Sequence, residues 1–267
     1  MMGQVARFFI LSLAAAVLVP SVVYSQDAGP VRRILAIGGG TYSGVGRPLP
    51  RFLVSLTGKK DPVVYYLPTA GGDAPLGIVR WYETMNELDC RPRHLRLFND
   101  SNGLKGMDAK LLAADAIFVG GGNTMNMLAV WKAHGVDKIL RQAYDRGVVL
   151  AGESAGMICW FDAGSTDSRA DKLTALDCLG FLKGSACPHY SSEAQRKPSL
   201  HKMLRDGALK DGVACDDGAA LLYENEQLVR AVAVSAKAKA YRIRRDGDKV
   251  IEEALKIDIL PPGKMVK

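Results

Sequence analysis

Three times in this chain a short apolar run ends in glycine and gives way to a stretch with helical spacing. Ile34-Leu35-Ala36-Ile37 runs into Gly38-Gly39-Gly40, Ala116-Ile117-Phe118-Val119 into Gly120-Gly121-Gly122, and Val148-Val149-Leu150-Ala151 into Gly152. Runs this short and this continuously apolar read as strands buried on both faces. Asn123 to His134 is predicted as a helix closed by Gly135, and a further helix is predicted from Ala155 to Phe161. Strands alternating with helices predict an α/β fold: a mostly parallel sheet with helices on both faces. In such sheets the ligand crevice lies beyond the carboxyl ends of the strands. The glycine turns all follow strands, so they are expected to gather at that edge.

The rest of the chain fills in this plan. Pro50 to Thr57 is amphipathic, and Val63 to Leu67 is a strand stopped by Pro68. Leu76 to Leu88 has helical spacing, with Leu76, Val79, Met85 and Leu88 as its apolar positions, and Leu95 to Phe98 is strand-like. Beyond residue 212 the helical pattern gives way to short strands at Val213–Cys215, Ala219–Tyr223, Leu228–Val234 and Ala240–Ile243. These are expected to extend the sheet with antiparallel strands. With 267 residues, 48% of them hydrophobic, the chain suits one sizeable core. Residues 31–267 are read as a single domain.

Arg7 followed by the apolar run Phe8 to Val19, Pro20, and small or aliphatic residues at Val23 and Ser25 make a secretory signal peptide over residues 1–25. Residues 26–30 form a short linker. Export to the periplasm or beyond is therefore expected; the alternative is an uncleaved anchor, though the run is short for a membrane span. The formal charge of +7 comes from scattered basic residues, without zinc-finger or RNA-binding motifs. It implies no nucleic-acid partner, and none in the membrane once the leader is removed. The five cysteines have no CxxC spacing, which disfavours zinc. Cys178 with Cys187 is the first disulfide pairing to check, and Cys159 is expected to be a small buried residue.

Gly152-Glu153-Ser154-Ala155-Gly156 fits the G-x-S-x-G nucleophile elbow between a strand and a helix. A serine there, beside the free N–H groups of a new helix, suits attack on a carbonyl, with the Ala155 N–H stabilising the oxyanion. The same residues also suit a glycine turn with an N-cap serine. A serine nucleophile needs a base. Of the four histidines, His94 reads as surface, His134 as a helix end and His201 as helical. His189, after Cys187-Pro188, is placed in a loop at a strand end. Asp162, Asp167, Asp171 and Asp177 all lie between Ser154 and His189, and Asp167 sits in a loop able to return towards the elbow. Gly120-Gly121-Gly122-Asn123-Thr124 reads either as a helix-terminal anion site or as an oxyanion hole.

The motifs Phe118-Val119-Gly120-Gly121-Gly122-Asn123-Thr124, Gly152-Glu153-Ser154-Ala155-Gly156 and Cys187-Pro188-His189-Tyr190, in that order, resemble the peptidase E (dipeptidase E) family of serine peptidases, which also includes cyanophycinases. Ser192 to Arg196 and Asp216-Asp217-Gly218 extend the likeness. The resemblance implies a class I glutamine-amidotransferase-like fold and a Ser-His-acid mechanism without metal or organic cofactor. It implies Ser154 as nucleophile, His189 as base and Asp167 as acid, with a Ser-His dyad as the alternative. It places the oxyanion hole at Gly121, Gly122 and Ala155, and substrate-binding positions at Asn123, Thr124, Glu153 and Arg196. The expected substrate is a short peptide, in dipeptidase E one with an acidic N-terminal residue. A monomer or homodimer is expected. The rival readings are a serine esterase of the α/β-hydrolase type and a non-catalytic exported small-molecule-binding protein.

Overall fold

The structure, a computed structural model, describes residues 29–98, 104–170 and 172–263. The leader predicted over residues 1–25 lies outside them. The first strands and helices are β1 (Arg33–Ile37), α1 (Pro48–Leu56), β2 (Val63–Leu67), α2 (Pro75–Met85) and β3 (Arg91–His94). They are followed by α3 (Met107–Leu112), β4 (Ala116–Val119), α4 (Thr124–His134), α5 (Val136–Asp145), β5 (Val149–Glu153) and α6 (Ala155–Ile158). The second half comprises β6 (Phe161–Thr166), β7 (Thr174–Asp177), β8 (Leu182–Cys187), α7 (Arg196–Arg205), β9 (Gly212–Cys215) and β10 (Ala219–Glu224). It closes with β11 (Gln227–Ala233), β12 (Ala240–Asp246), β13 (Lys249–Ala254) and β14 (Ile257–Ile259).

Two sheets form, where a single extended one was expected. The first has eight strands in the order β14-β11-β10-β1-β5-β4-β2-β3, and the second six in the order β13-β12-β9-β8-β6-β7. From β1 to β3 the first sheet is parallel, and β10 and β11 extend it antiparallel. All four strands predicted after residue 212 exist, but β9 and β12 belong to the second sheet.

Strand alternation explains why helices cover both faces of the first sheet. Ile34, Ala36, Ile117, Val119 and Leu150 meet Met127 and Trp131 of α4 and Leu140 and Tyr144 of α5. Leu35, Ile37, Ala116, Phe118 and Ala151 meet Leu49 and Leu53 of α1 and Trp81 and Met85 of α2. Trp81 stacks on both Tyr66 and Phe118, at centroid distances of 5.1 and 5.4 Å.

Three predicted elements shift. The helix after Ser154 stops at Ile158 rather than Phe161, because the carbonyls of Cys159, Trp160 and Phe161 accept from Leu179, Leu182 and Gly180. Those bonds turn the chain into β6. The strand expected at Leu95 to Phe98 lies earlier, at β3, while Leu95 and Leu97 are buried as irregular chain whose Leu97 and Phe98 amides are held by Asp73. Leu76 and Val79 of α2 face solvent, since Trp81, Thr84 and Met85 occupy its inner face.

The second sheet carries α7 on one face, with Leu200, Met203 and Leu204 against Ala214, Ile243 and Cys187. His201 of α7 lies 3.2 Å from Glu252 of β13 and 3.1 Å from the Tyr190 hydroxyl. Burial holds its pKa below the ordinary 6.5, partly offset by the Glu252 charge. The fold therefore favours neutral His201. Its contribution is intact above pH 6.5 and is lost as pH falls through its lower folded value. Urea unfolding from pH 7.5 to 4.5 is expected to show this acid loss, and His201→Gln to flatten that part of the curve.

Candidate active site

Ser154 occupies the turn between β5 and α6 with φ 56° and ψ −111°, a conformation L-residues rarely adopt. The turn is clamped from both sides. The Ser154 amide donates to the Ile37 carbonyl of β1 at 3.1 Å. A Cβ placed on Gly152 would stand 2.4 Å from the Gly156 carbonyl oxygen, so only glycine lets strand and helix approach this closely. The hydroxyl is thereby turned out at the carboxyl edge of the sheet.

His189 follows β8 and also has positive φ, 52°. Its amide donates to the Gly38 carbonyl at 3.2 Å, fixing the loop to the end of β1. Its Nε2 lies 2.8 Å from Ser154 Oγ, and its Nδ1 lies 2.6 Å from Asp217 Oδ1. A carboxylate can only accept, so Nδ1 carries the proton and Nε2 accepts from the serine hydroxyl. Asp217 belongs to the β9–β10 turn, where the chain crosses from the second sheet to the first. Gly218 N–H donates to Gly39 at 2.8 Å, and Asp216 accepts from the Ser191 and Lys239 amides at 3.1 and 3.0 Å. Gly39 has φ +156°, and a Cβ there would lie 2.1 Å from Asp217 Oδ1 and 2.5 Å from His189 Cε1. The glycine run after β1 thus makes room for the His–Asp pair.

Two of the three predicted oxyanion positions, Gly121 and Ala155, adjoin Ser154. A Cβ on Gly121 would stand 3.2 Å from Ser154 Cβ, so its backbone lies against that serine. Ala155 opens α6, where the first N–H groups have no intrahelical acceptor. Gly122 has φ +135° and its Cα side faces another segment. It packs on the Ala70 carbonyl, 2.2 Å from where its Cβ would be, and shapes the loop instead.

Several predicted site residues lie elsewhere. Asp167 is not beside His189. It is 64% exposed at the end of β6, with Oδ2 3.3 Å from Arg196 Nη2. The extended run of β6 carries it away, while His189 Nδ1 faces the β9–β10 turn. Asp162 accepts from the Gly184 amide, Asp177 is exposed on β7, and Asp171 lies outside the described residues. Arg196 is 2% exposed and bonds Glu193 at 2.6 Å, Asp167, and the Ser165 carbonyl at 3.2 Å. It ties α7 to β6. Arg196→Met should lower unfolding free energy by about 1–3 kcal/mol, since it leaves the Ser165 carbonyl inside the fold without its donor, while Glu193 and Asp167 can turn to water; urea titration measures this. Asn123 caps α4 through Asn126 and donates to Ser168, and Thr124 is buried, accepting from Thr166. Both brace the loop. Glu153 remains half-buried at the site, accepting from the Thr41 amide at 3.0 Å.

Sequence reasoning missed Asp217. Its signal was present in Asp216-Asp217-Gly218, an acid beside a glycine at a predicted strand end. All five cysteines are free thiols. Cys178 packs with the first core cluster and Cys187 with the cluster beneath α7, apart from each other; Cys159 is fully buried, as expected. Burial pushes the thiols up, Cys90 to about 11 and Cys178 and Cys187 to about 12.

With this geometry in view, the sequence model of peptidase family S51 matches residues 34–231, which contain every residue of the Ser–His–Asp arrangement. The chain belongs to peptidase family S51. It is a serine-type peptidase. This S51 peptidase is 42% identical over 232 residues to the uncharacterised peptidase YgaJ of Bacillus subtilis strain 168, covering 86% of this chain and all of that protein. Its fold is similar to a crystal structure of a peptidase from an acI-B1 actinobacterium, with TM-score 0.65 and 18% identity, over 84% of this chain and 98% of the other. It is also similar to a candidate peptidase E of Listeria monocytogenes EGD-e, with TM-score 0.58 and 19% identity, over 77% and 100% of the two chains. These likenesses agree with the predicted fold: α/β, largely parallel, with antiparallel strands towards the C-terminus.

Proposed function

We propose that this S51 peptidase hydrolyses short peptides through an acyl-enzyme formed on Ser154, with His189 as base and Asp217 as the orienting acid. The observation that carries the reading is the relay of 2.8 and 2.6 Å from Oγ through the imidazole to the carboxylate. His189 Nε2 takes the hydroxyl proton as Oγ attacks the peptide carbonyl. The oxyanion forms between the Gly121 and Ala155 amides. The new imidazolium is stabilised by Asp217 and gives its proton to the leaving amine. Water then enters, loses a proton to Nε2 and attacks the ester; collapse releases the acid and returns the proton to Ser154.

The site as built offers no role to Arg196 in recognising an acidic N-terminal residue, because its guanidinium is buried and engaged. Export remains part of the proposal, supported by the charged, apolar and small-residue order of residues 1–25. N-terminal sequencing of protein from the producing cell should begin at Gln26.

The test is fluorophosphonate labelling of wild type, Ser154→Ala and His189→Ala, with the adduct located by mass spectrometry. An adduct on Ser154 that requires His189 supports the mechanism. A folded wild-type protein that takes up no label overturns it.

A further inference from the structure

With Arg196 engaged inside the fold, another residue must set the charge that a substrate meets beside the nucleophile. Glu153 immediately precedes Ser154. It pairs with Ile37 across β1 and β5, on the sheet face that also carries Ala151. Its Oε2 accepts from the Thr41 amide, and among the described residues it forms no ion pair. A half-buried carboxylate with one oxygen on a backbone amide and no cation of its own is open to a cationic ligand. Tyr42 and Tyr66 stand near enough to feel its charge. Burial first, then Glu153, raises both phenols, Tyr66 to about 12, so both remain hydrogen-bond donors at neutral pH. A Cβ on Gly120 would lie 2.6 Å from the Tyr66 hydroxyl, so this wall meets the glycine loop that carries Gly121 against Ser154. Arg80, the other charge acting on Tyr42, is exposed on α2 and is not paired with Glu153.

We propose that Glu153 determines specificity, its carboxylate accepting an ammonium group on the acyl side of the scissile bond, so that the enzyme selects peptides with a cation there over peptides with an acid. The proposal rests on Ser154 being the nucleophile. The carbon it attacks is one bond from the α-carbon bearing the ammonium of an unblocked N-terminal residue. A lysine side chain presents the same group on a longer stem. An aspartate side chain would bring like charge towards Glu153, which disfavours binding.

Calorimetry on Ser154→Ala, which cannot turn substrate over, tests this with four ligands: lysyl-alanine, norleucyl-alanine, N-acetyl-lysyl-alanine and N-acetyl-norleucyl-alanine. The cationic ligands should bind about 10- to 100-fold tighter than the neutral one, the range for a charge-assisted hydrogen bond. Norleucyl-alanine isolates the α-ammonium and N-acetyl-lysyl-alanine the side chain. Adding Glu153→Gln should erase the preference, while its amide oxygen still accepts from Thr41. Equal affinities for all four ligands, absence of binding by any, or a preference that survives Glu153→Gln overturns the proposal. Failure of the serine mechanism would instead appear as unlabelled wild type in the fluorophosphonate experiment.

Discussion

Asp217→Asn should lower kcat about 10⁴-fold, the scale seen when a triad carboxylate becomes an amide. The asparagine side chain fits the same space but can present an N–H to Nδ1. The imidazole then takes the wrong tautomer, with its proton on the nitrogen that must accept from Ser154. It also loses the charge that stabilises imidazolium. Asp167→Asn is the matched control. Asp167 is largely exposed and touches Arg196, not His189, so its loss should change kcat less than about threefold and stability by under about 1 kcal/mol, as for an exposed ion pair. Steady-state kinetics on the two variants separate the assignments directly. If Asp167→Asn fell 10⁴-fold and Asp217→Asn did not, the acid would have to be reassigned.

The second large effect is at Ser154, the proposed nucleophile, where activity is lost with either small residue but stability depends on which one replaces the serine. Ser154→Ala and Ser154→Gly should each lower kcat by about 10⁶-fold, the scale for losing a serine nucleophile outright. Their stabilities should differ. At φ 56° and ψ −111° a Cβ is strained, at a cost of about 1–3 kcal/mol. Alanine keeps that Cβ and glycine removes it. Ser154→Gly should therefore melt above Ser154→Ala by a few degrees, at about 2–4 °C per kcal/mol for a domain of this size. Calorimetric melting of the three proteins reads this. Equal melting temperatures would mean that the turn carries no strain energy at Ser154.

What was legible in the sequence was local. The apolar runs ending at Ile37, Val119 and Ala151 are strands because they are continuous, short and stopped by glycine. Ser154 could be found because its turn is written in five consecutive residues. His189 could be found because Pro188 and a short apolar run put it at a strand end. Asp217 was harder, since no spacing links it to His189: the two meet only after β8, α7 and β9 have folded into a second sheet. The early stop of α6 had the same origin, backbone pairing of Cys159 to Phe161 with residues 179–182. Arg196 was misread for the opposite reason. An arginine in a polar segment near the histidine resembles a ligand for acids, and only packing shows it inside, facing Glu193 and Asp167.

The serine stands on one sheet, the histidine on the other, and the aspartate on the strand-to-strand turn that joins them. Turnover is therefore a gauge of how the two halves are seated. An ångström of slip between the sheets would break the relay before either sheet lost its own hydrogen bonds, and misplacement on that scale can cost about 100-fold in rate. On heating, activity should fade ahead of the circular-dichroism transition.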